Sequence, residues 1–430
     1  MLLPGDDAYL DAATVAKGPG SPVVVVRPTG AEDVAAAVGF ARDHGLDLSV
    51  RSGGHDSLGR STNDGGVVID LRPLDAIEVD GDVVTIGGGA TWGAVAEALT
   101  PHGLALSSGD TRSVGVGGLT LGGGVGWFVR LWGLAIDSLI GAEVVLADGR
   151  IVQTSATEEP DLFWALRGGG GNFGVVTRFT FRAHPLPSGV VSGSIEVDPA
   201  QLGAVFRGWR DVLRAAPEEL STTYLGMPSF AEGMPATSQI TFVWAGDDVA
   251  AATAAIAPLL EFPSVTGHTI ERMPYADVLV AEQPDAEQVE APALRFIDEN
   301  GFAAAFDDEL IDELVSVRDE IGGVLMVRLL GGAFGRVASD ATAWAYRDTE
   351  AWIFSVAFLP EEIADAQEPR LRAAWRRLDP WLAGFYGNFS SLADPVESMY
   401  PPATLARLRA IKRRYDPDNL FRRTHNIRPE

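Results

Sequence analysis

The chain has 430 residues, 46% of them hydrophobic, and its 33 basic and 59 acidic residues give a formal net charge of −26. This length and apolar fraction predict a globular protein of two or three domains. The absence of cysteine excludes disulfides, thiolate metal sites and cysteine nucleophiles, and the acidic balance argues against nucleic acid and anionic membranes as partners.

The N-terminal part of the chain alternates patterns typical of strands and helices. Four valines at 23–26 indicate a strand, and the spacing of Val34, Val38 and Ala41 predicts a helix over 29–44. Further strands are predicted at 46–51, 67–71 and 175–183, hairpins at 78–86 and 143–154, and helices at 91–99 and 161–166. Together these elements predict a first domain, residues 1–187.

A second domain is predicted to follow the Pro-Leu-Pro-Ser-Gly sequence at 185–189. Helical patterns at 249–260 and 307–318 lie among strand-like runs at 192–197, 238–244, 324–330 and 352–358. This mix predicts an α+β fold in which helices back an antiparallel sheet, over residues 188–384. The basic and aromatic segment 385–430 is predicted to return to the first domain, and the acidic run 282–290 to be a solvated loop.

The chain shows no pattern of a secreted or membrane protein. Its first residues lack a basic stretch followed by an apolar one, and no window approaches the roughly 18 uninterrupted apolar residues of a membrane span. We therefore expect a soluble, cytoplasmic protein. No metal site is predicted.

The most informative segment is a glycine-containing loop, residues 51–63, which we call the first glycine loop. It follows a predicted strand and combines Gly53, Gly54 and Gly59 with His55, one of six histidines. Glycine lets a backbone approach a diphosphate closely and present its N–H groups to it. The loop therefore predicts a diphosphate site with an imidazole beside it.

Two more glycine clusters lie in the same predicted domain. The second glycine loop, residues 107–127, has seven glycines between 115 and 126, and the third, residues 167–174, precedes a strand. Neither fits the dinucleotide fingerprint of doubly wound folds, and the lack of a Gly-Lys-Ser/Thr sequence excludes a P-loop. Close packing of turns is one interpretation of such glycines. Three loops beside strand ends favour one long ligand, such as a dinucleotide with an extended diphosphate.

These motifs together resemble the berberine-bridge-enzyme-like flavoproteins of the vanillyl-alcohol-oxidase superfamily. The resemblance is carried by Arg-Ser-Gly-Gly-His at 51–55, Val-Gly-Val-Gly-Gly at 114–118, the glycine-rich 122–127, 164–174, Tyr-Gly-Asn-Phe at 386–389 and residues 411–421. It implies a two-lobed fold, in which a PCMH-type lobe binds FAD and the second lobe holds the substrate.

The resemblance also implies a set of cofactor contacts. His55 is expected to bond to the 8α-methyl of the flavin, and an imidazole is a suitable nucleophile near neutral pH. The residues expected to bind FAD are Arg51, Ser52, Gly53, Gly54, His55, Asp56, Ser57, Gly59, Ser108, Gly109, Thr111, Val114, Gly115, Gly117, Gly118, Gly122, Gly174, Val175, Val176 and Asn388.

Two positions adjust this expectation. Thr111 occupies the place where many relatives carry a second, cysteinyl flavin link, so the resemblance implies attachment through His55 only. Val114 matches the position that shapes oxygen access in this family. A small branched residue there resembles oxidases rather than dehydrogenases, although ordinary packing is the alternative.

The resemblance points to Tyr386 as the catalytic base, and Tyr346 is a candidate for a second catalytic tyrosine. A phenol needs a lowered pKa to accept a proton near neutrality. Arg347, which follows Tyr346 in the sequence, is a candidate for lowering the pKa of Tyr386. Aromatic packing with a satisfied hydroxyl is the alternative for both tyrosines. We expect an FAD-dependent oxidase acting on an alcohol or amine carbon of a small molecule, with O₂ as acceptor. A dehydrogenase with another acceptor and a non-catalytic binding protein are the alternatives.

Overall fold

The computed structural model describes residues 1–229, 236–281, 294–392 and 396–430. Its N-terminal part begins with a parallel three-stranded sheet in the order Val24–Val26, Val67–Asp70 and Leu48–Arg51. The helix Ala31–Asp43 packs on this sheet through the predicted face of Val34, Val38 and Ala41. Glu32 and Asp33 favour its N-terminal turn, and Gly45 follows its end with φ of 63°.

A second, antiparallel sheet of five strands lies beside the first. Its order is Ile151–Ser155, Leu139–Val145, Val175–Arg182, Val83–Gly87 and Ile77–Asp80. Both predicted hairpins are confirmed, and so are the helices Trp92–Leu99 and Pro160–Leu166. The Thr91 hydroxyl caps the first helix by accepting a hydrogen bond from Ala94 N at 3.4 Å.

The large sheet occupies the second half of the chain and is antiparallel throughout its described part. Its strands are Val265–His268, Val190–Val197, Thr237–Trp244, Leu220–Met227, Val324–Leu329, Ala351–Pro360, Leu294–Ala303 and Leu382–Ala383 in spatial order, with Glu271–Met273 beside Val190–Val197. Four helices follow strands of this sheet along the chain, namely Leu202–Ala215, Val249–Leu260, Asp308–Ile321 and Glu361–Trp375. The predicted antiparallel sheet backed by helices is therefore confirmed, and one sheet face shares a core with these helices.

The C-terminal segment lies against the N-terminal sheets. The helix Pro402–Tyr415 contributes Leu405, Leu408 and Ile411 to the core of the five-stranded sheet. Lys412, fully buried, donates to Asn172 O at 2.8 Å, Phe421 O at 2.9 Å and Asp416 Oδ2 at 2.6 Å. These bonds hold the segment on the third glycine loop. The domain limits 187/188 and 384/385 stay a prediction.

Short elements complete the described chain. They are the strands Thr14–Val15, Gly18–Pro19, Leu104–Ala105 and His184–Pro185, the helices Tyr9–Ala13, Val116–Leu121, Val129–Trp132, Tyr275–Val278, Ala333–Arg336 and Val396–Met399, and 3₁₀ turns at Thr100–His102, Ala135–Asp137, Gly170–Asn172, Pro199–Gln201, Arg376–Leu378 and Gly387–Phe389. The acidic run predicted as a solvated loop, 282–290, lies outside the described residues. Among the described helices, none has the length and apolar character that crossing a membrane requires.

Candidate active site

The first two glycine loops meet directly. A Cβ on Gly53 would overlap the backbone nitrogen of Gly115 and come 2.8 Å from Ser113 O, and a Cβ on Gly115 would overlap Gly53 N. The buried Ser52 hydroxyl sits at the same junction, donating to Gly88 O at 2.7 Å and accepting from Gly117 N at 3.3 Å. The glycines are therefore required by the close approach of the two loops.

A fourth glycine cluster, Gly87–Gly89, completes this junction, and the sequence analysis missed it. Gly88 N donates to Thr177 O at 2.8 Å, and a Cβ on Gly88 would overlap Val176 O. The turn thus joins the first loop to the strand Val175–Arg182. Its signal was present, since three glycines follow a strand and precede a helix capped by Thr91.

Several predicted cofactor residues stay accessible around the junction. His55, Ser57, Gly118 and Asn388 are exposed, and Gly53, Asp56, Thr111 and Val114 are half-buried. Gly118 has open space in the direction of a Cβ. His55 in the first loop and Gly118 in the helix Val116–Leu121 are therefore accessible at the edge of the junction.

Asp56 supports the first loop internally. Its carboxylate accepts from Leu58 N and Arg60 N, both at 3.0 Å, and pairs with the Arg60 guanidinium at 2.7 Å. Burial alone would raise the pKa of Asp56, but the hydrogen bonds and charge of Arg60 lower it below its usual range. Arg51 fixes the start of the loop from outside, because it donates to Asp11 O and Ala12 O at 2.9 and 3.1 Å.

Most of the third glycine loop lies away from the junction. Gly168 packs against Trp344, Gly169 against Leu408 and Phe173, and Gly174 against Val144. Val175 is buried in the core of the parallel sheet. Val176 does contact the junction, because its carbonyl oxygen lies beside Gly88.

The first part of the second glycine loop contacts the second half of the chain. The buried Ser108 hydroxyl bonds to Tyr275 Oη at 2.9 Å, and Gly109 packs closely on Leu119. Around Thr111, Arg112 N donates to Val280 O at 3.0 Å and Val280 N to Asp110 O at 2.7 Å. This loop therefore links the junction to the large-sheet region.

Tyr386 is buried, and its hydroxyl oxygen receives three N–H donors. Asn388 Nδ2 lies at 2.9 Å, Gly124 N at 3.1 Å and Val125 N at 3.4 Å. Asn388 also donates to Leu119 O at 3.2 Å and fills the space beside Gly122. A neutral phenol both donates and accepts, whereas a phenolate only accepts, so three donors complement the charged form.

The pKa of Tyr386 nevertheless lies above its ordinary value. Burial raises it most, the hydrogen bonds from Val125, Asn388 and Gly124 lower it, and the nearby charge of Asp110 raises it again. Arg347 is not among the groups acting on Tyr386, so the expectation that it lowers this pKa is wrong. Its guanidinium makes two hydrogen bonds of 2.8 Å to the Asp137 carboxylate, and this carboxylate compensates its positive charge.

Tyr346 is separated from Tyr386 by an aromatic chain. Its ring stacks on Phe302 at 5.6 Å, Phe302 meets Trp344 at 5.3 Å, and Trp344 meets Tyr386 at 5.0 Å. Gly384 lies against the Tyr346 ring, and burial raises the pKa of Tyr346. The two predicted catalytic tyrosines therefore share a hydrophobic cluster, with Phe302 and Trp344 between their rings.

Comparison with known proteins assigns nearly the whole chain to one family. The FAD binding domain family matches residues 22–155, and the berberine and berberine-like family matches residues 385–428. Over 427 residues the chain is 32% identical to (R)-6-hydroxynicotine oxidase of Paenarthrobacter nicotinovorans, covering 95% of this chain and 92% of that protein. The chain belongs to the berberine-bridge-enzyme-like FAD-linked oxidoreductases.

Solved structures of this family share the fold. The structure of 6-hydroxy-D-nicotine oxidase from Arthrobacter nicotinovorans has a TM-score of 0.83 at 28% identity, over 100% of this chain and 97% of that one. Xylooligosaccharide oxidase from Myceliophthora thermophila, in complex with xylobiose, has a TM-score of 0.85 at 26% identity, over 100% and 97% of the two chains. The predicted family and fold class are confirmed.

FAD fits the glycine junction of this berberine-bridge-enzyme-like chain. The junction offers closely packed backbone and an exposed imidazole at His55, with open space beside Gly118. The accessible backbone at Gly118 and the exposed His55, side by side with the packed loops, are compatible with a bound dinucleotide. Glucooligosaccharide oxidase from Acremonium strictum, 26% identical, carries a 6-S-cysteinyl, 8α-N1-histidyl FAD. This chain contains no cysteine, so a cysteinyl link is excluded here.

A second site feature that the sequence analysis missed is the pair of Asp110 and Arg328. Arg328 is buried in the strand Val324–Leu329 and bonds to Asp110 Oδ2 at 2.5 Å and to Thr223 Oγ1 at 2.8 Å. Its guanidinium also lies 4.9 Å from the centre of the Trp127 ring. The available signal was a charged residue inside an otherwise apolar strand.

Proposed function

We propose that this protein is an FAD-dependent oxidase that removes hydride from a carbon bearing a hydroxyl or amine group. Its substrate is a small organic molecule, its acceptor is O₂, and Tyr386 is its base. The relatives named above are oxidases of hydroxynicotine and of xylooligosaccharide, which supports O₂ as the acceptor. The half-buried Val114 supports the same assignment through its small side chain.

The observation that carries the proposal is the hydroxyl of Tyr386. It stands on a buried ring in a network of three N–H donors, which favour the phenolate form that a base requires, whereas burial opposes that form. When bound, FAD supplies the redox step, taking the hydride and passing two electrons to O₂ to give hydrogen peroxide. Tyr386 removes the proton from the substrate heteroatom, and general-base catalysis of this kind contributes about 10²–10⁴-fold in rate.

The residues of the junction hold the cofactor in this proposal. The main chain of the first and second loops, around Gly53 and Gly115, holds the diphosphate, and His55 forms the single covalent link. Ser52 orders the two loops through its bonds to Gly88 and Gly117. Tyr346 is proposed to act on the substrate side, at the edge of the aromatic cluster.

Replacing Tyr386 by phenylalanine tests the base. The matched control is Tyr400→Phe, which removes the hydroxyl of another buried tyrosine that donates to Gly168 O at 3.0 Å. Anaerobic flavin reduction is followed with a panel of aromatic alcohols, cyclic amines and oligosaccharides. We expect Tyr386→Phe to slow reduction about 10²–10⁴-fold and Tyr400→Phe to change it little. Equal rates in Tyr386→Phe and the native protein would refute the assignment.

The covalent link and the acceptor have separate tests. Acid precipitation should leave yellow flavin in the pellet of the native protein and release it from His55→Ala. Release from both would contradict a histidyl link. Mixing the reduced enzyme with air should reoxidise it within seconds and produce hydrogen peroxide, whereas reoxidation over minutes would favour a dehydrogenase.

A further inference from the structure

One row of the large sheet presents apolar side chains on the face that packs against the cluster containing Tyr386. Cross-strand pairing places Leu225 opposite Met326, and Met326 opposite Phe354. Residues directly opposite in an antiparallel pair share a face. The three side chains are half-buried, whereas their sequence neighbours Tyr224 and Val327 point into the helix-covered core. We call Leu225, Met326 and Phe354 the apolar row.

The apolar row adjoins the proposed base through one exposed aromatic ring. Phe389, 39% exposed, lies 5.3 Å from Phe354 and stacks on Tyr386 at 5.7 Å. Met326 and Phe354 pack against the same hydrophobic cluster as Tyr386. A substrate lying on the apolar row and Phe389 would therefore lie beside the ring whose hydroxyl we propose as the base.

Several polar side chains beside the row are bonded within the protein. Asn300, directly opposite Phe354, donates to Phe389 O at 2.9 Å and accepts from Tyr386 N at 2.6 Å and Trp352 Nε1 at 3.2 Å. In the next row, Thr223 accepts from Arg328, which is paired with Asp110. Gln239, opposite Leu225, adds an amide at the far end of the row.

We propose that the apolar row and Phe389 select a substrate with a flat apolar body, an aromatic or polycyclic alcohol or amine, and discriminate against oligosaccharides. The inference rests on the proposed function and adds the substrate class to it. An aromatic body gains contact with Met326, Phe354 and Phe389. A sugar would bring several hydroxyls to the side chains of Met326, Phe354 and Phe389, beside Asn300, Thr223 and Arg328, whose polar groups bond to other protein groups. Part of its hydration would therefore be lost without replacement.

Binding to the holoenzyme tests the substrate class independently of turnover. The flavin absorbance spectrum is recorded anaerobically during titration with 2-naphthalenemethanol, cinnamyl alcohol, cellobiose and xylobiose. We expect saturable binding of the two aromatic alcohols, and binding of the two disaccharides weaker by roughly a hundredfold or undetectable. Tighter binding of either disaccharide than of both alcohols, or no saturable binding of either alcohol, would overturn the proposal.

Two substitutions in the row locate the binding. Met326→Gln keeps the length of the side chain and adds an amide, and Phe354→Ala removes a ring. Each should weaken binding of the aromatic alcohols about tenfold. The control Phe40→Ala truncates a ring that is 45% exposed on the helix Ala31–Asp43 and should leave binding unchanged. Unchanged binding in both row variants would also overturn the proposal.

The binding readout separates this inference from the oxidase assignment. If the aromatic alcohols bind, and the row variants weaken that binding, the role of the apolar row in substrate binding is supported even when no compound reduces the flavin. In that case the oxidase assignment fails alone. If an oligosaccharide binds tightly and reduces the flavin in a Tyr386-dependent manner, the oxidase assignment stands and the substrate class is refuted.

Discussion

Replacing Arg328 by methionine should shift the pH dependence of catalysis to higher pH. In the native protein the Asp110 carboxylate, 30% exposed, is paired with the buried Arg328 guanidinium at 2.5 Å. The charge of Asp110 raises the pKa of Tyr386. Because the pKa of Tyr386 is already raised, kcat/KM should increase with pH in the alkaline range. Removing Arg328 leaves Asp110 uncompensated and raises the Tyr386 pKa further.

The size of this shift follows from Coulomb's law. Asp110 is partly solvated, so an effective dielectric constant near the value for pairs close to a protein surface is appropriate. With an effective dielectric constant of about 20, a nearby unit charge is expected to shift the profile by about one pH unit, or about 1.4 kcal/mol. Salt reduces this value, so low ionic strength gives the clearest measurement.

The assay is kcat/KM against pH for the native enzyme, Arg328→Met, Asp110→Asn and the double variant. Arg328→Met should move the rise in kcat/KM to higher pH, Asp110→Asn to lower pH, and the double variant should return it towards the native profile. Arg210→Met, which removes a mostly buried arginine in the helix Leu202–Ala215, is the control and should not move it. Coinciding profiles, or shifts of both single variants in the same direction, would refute the electrostatic coupling.

Two further predictions concern the junction and the C-terminal segment. Gly53→Ala should lower both the melting temperature and the flavin content, because its Cβ would overlap Gly115 N, whereas Gly118→Ala, which faces open space, should keep the melting temperature. Equal melting temperatures for the two alanine variants would contradict the junction geometry. Lys412→Met should cost about 3–5 kcal/mol in denaturant unfolding because it leaves Asp416 buried and unpaired, and Lys412→Met/Asp416→Asn should cost less. A larger loss in the double variant would count against this ion pair.

Local patterns account for the elements that the sequence predicted well. The helix Ala31–Asp43 follows from the period of Val34 and Val38 and from the glycine after its end. The hairpin Ile77–Asp80 and Val83–Gly87 follows from the turn at Gly81, which has φ of 61°. In each case the information lies within a few residues of the element.

Long-range packing explains what the sequence could not predict. The glycines at 168–174 resemble a ligand loop, but Trp344 and Leu408, far along the chain, occupy the space beside Gly168 and Gly169. Arg347 was a candidate partner of Tyr386 because of its place beside Tyr346, yet the fold pairs it with Asp137. Sequence proximity does not reveal which carboxylate a buried guanidinium will meet.

The second glycine loop contacts both Tyr386 and the first glycine loop. Its early glycine, Gly115, meets the first loop, and its later residues Gly124 and Val125 donate their backbone N–H groups to Tyr386 Oη. Gly124 has φ of 82°, and a Cβ there would come 2.5 Å from the Ala135 side chain. One rigid segment thus connects the proposed flavin site to the proposed proton acceptor. A substitution at Gly124 should therefore slow proton transfer while the flavin stays bound, which separates the two roles of the loop.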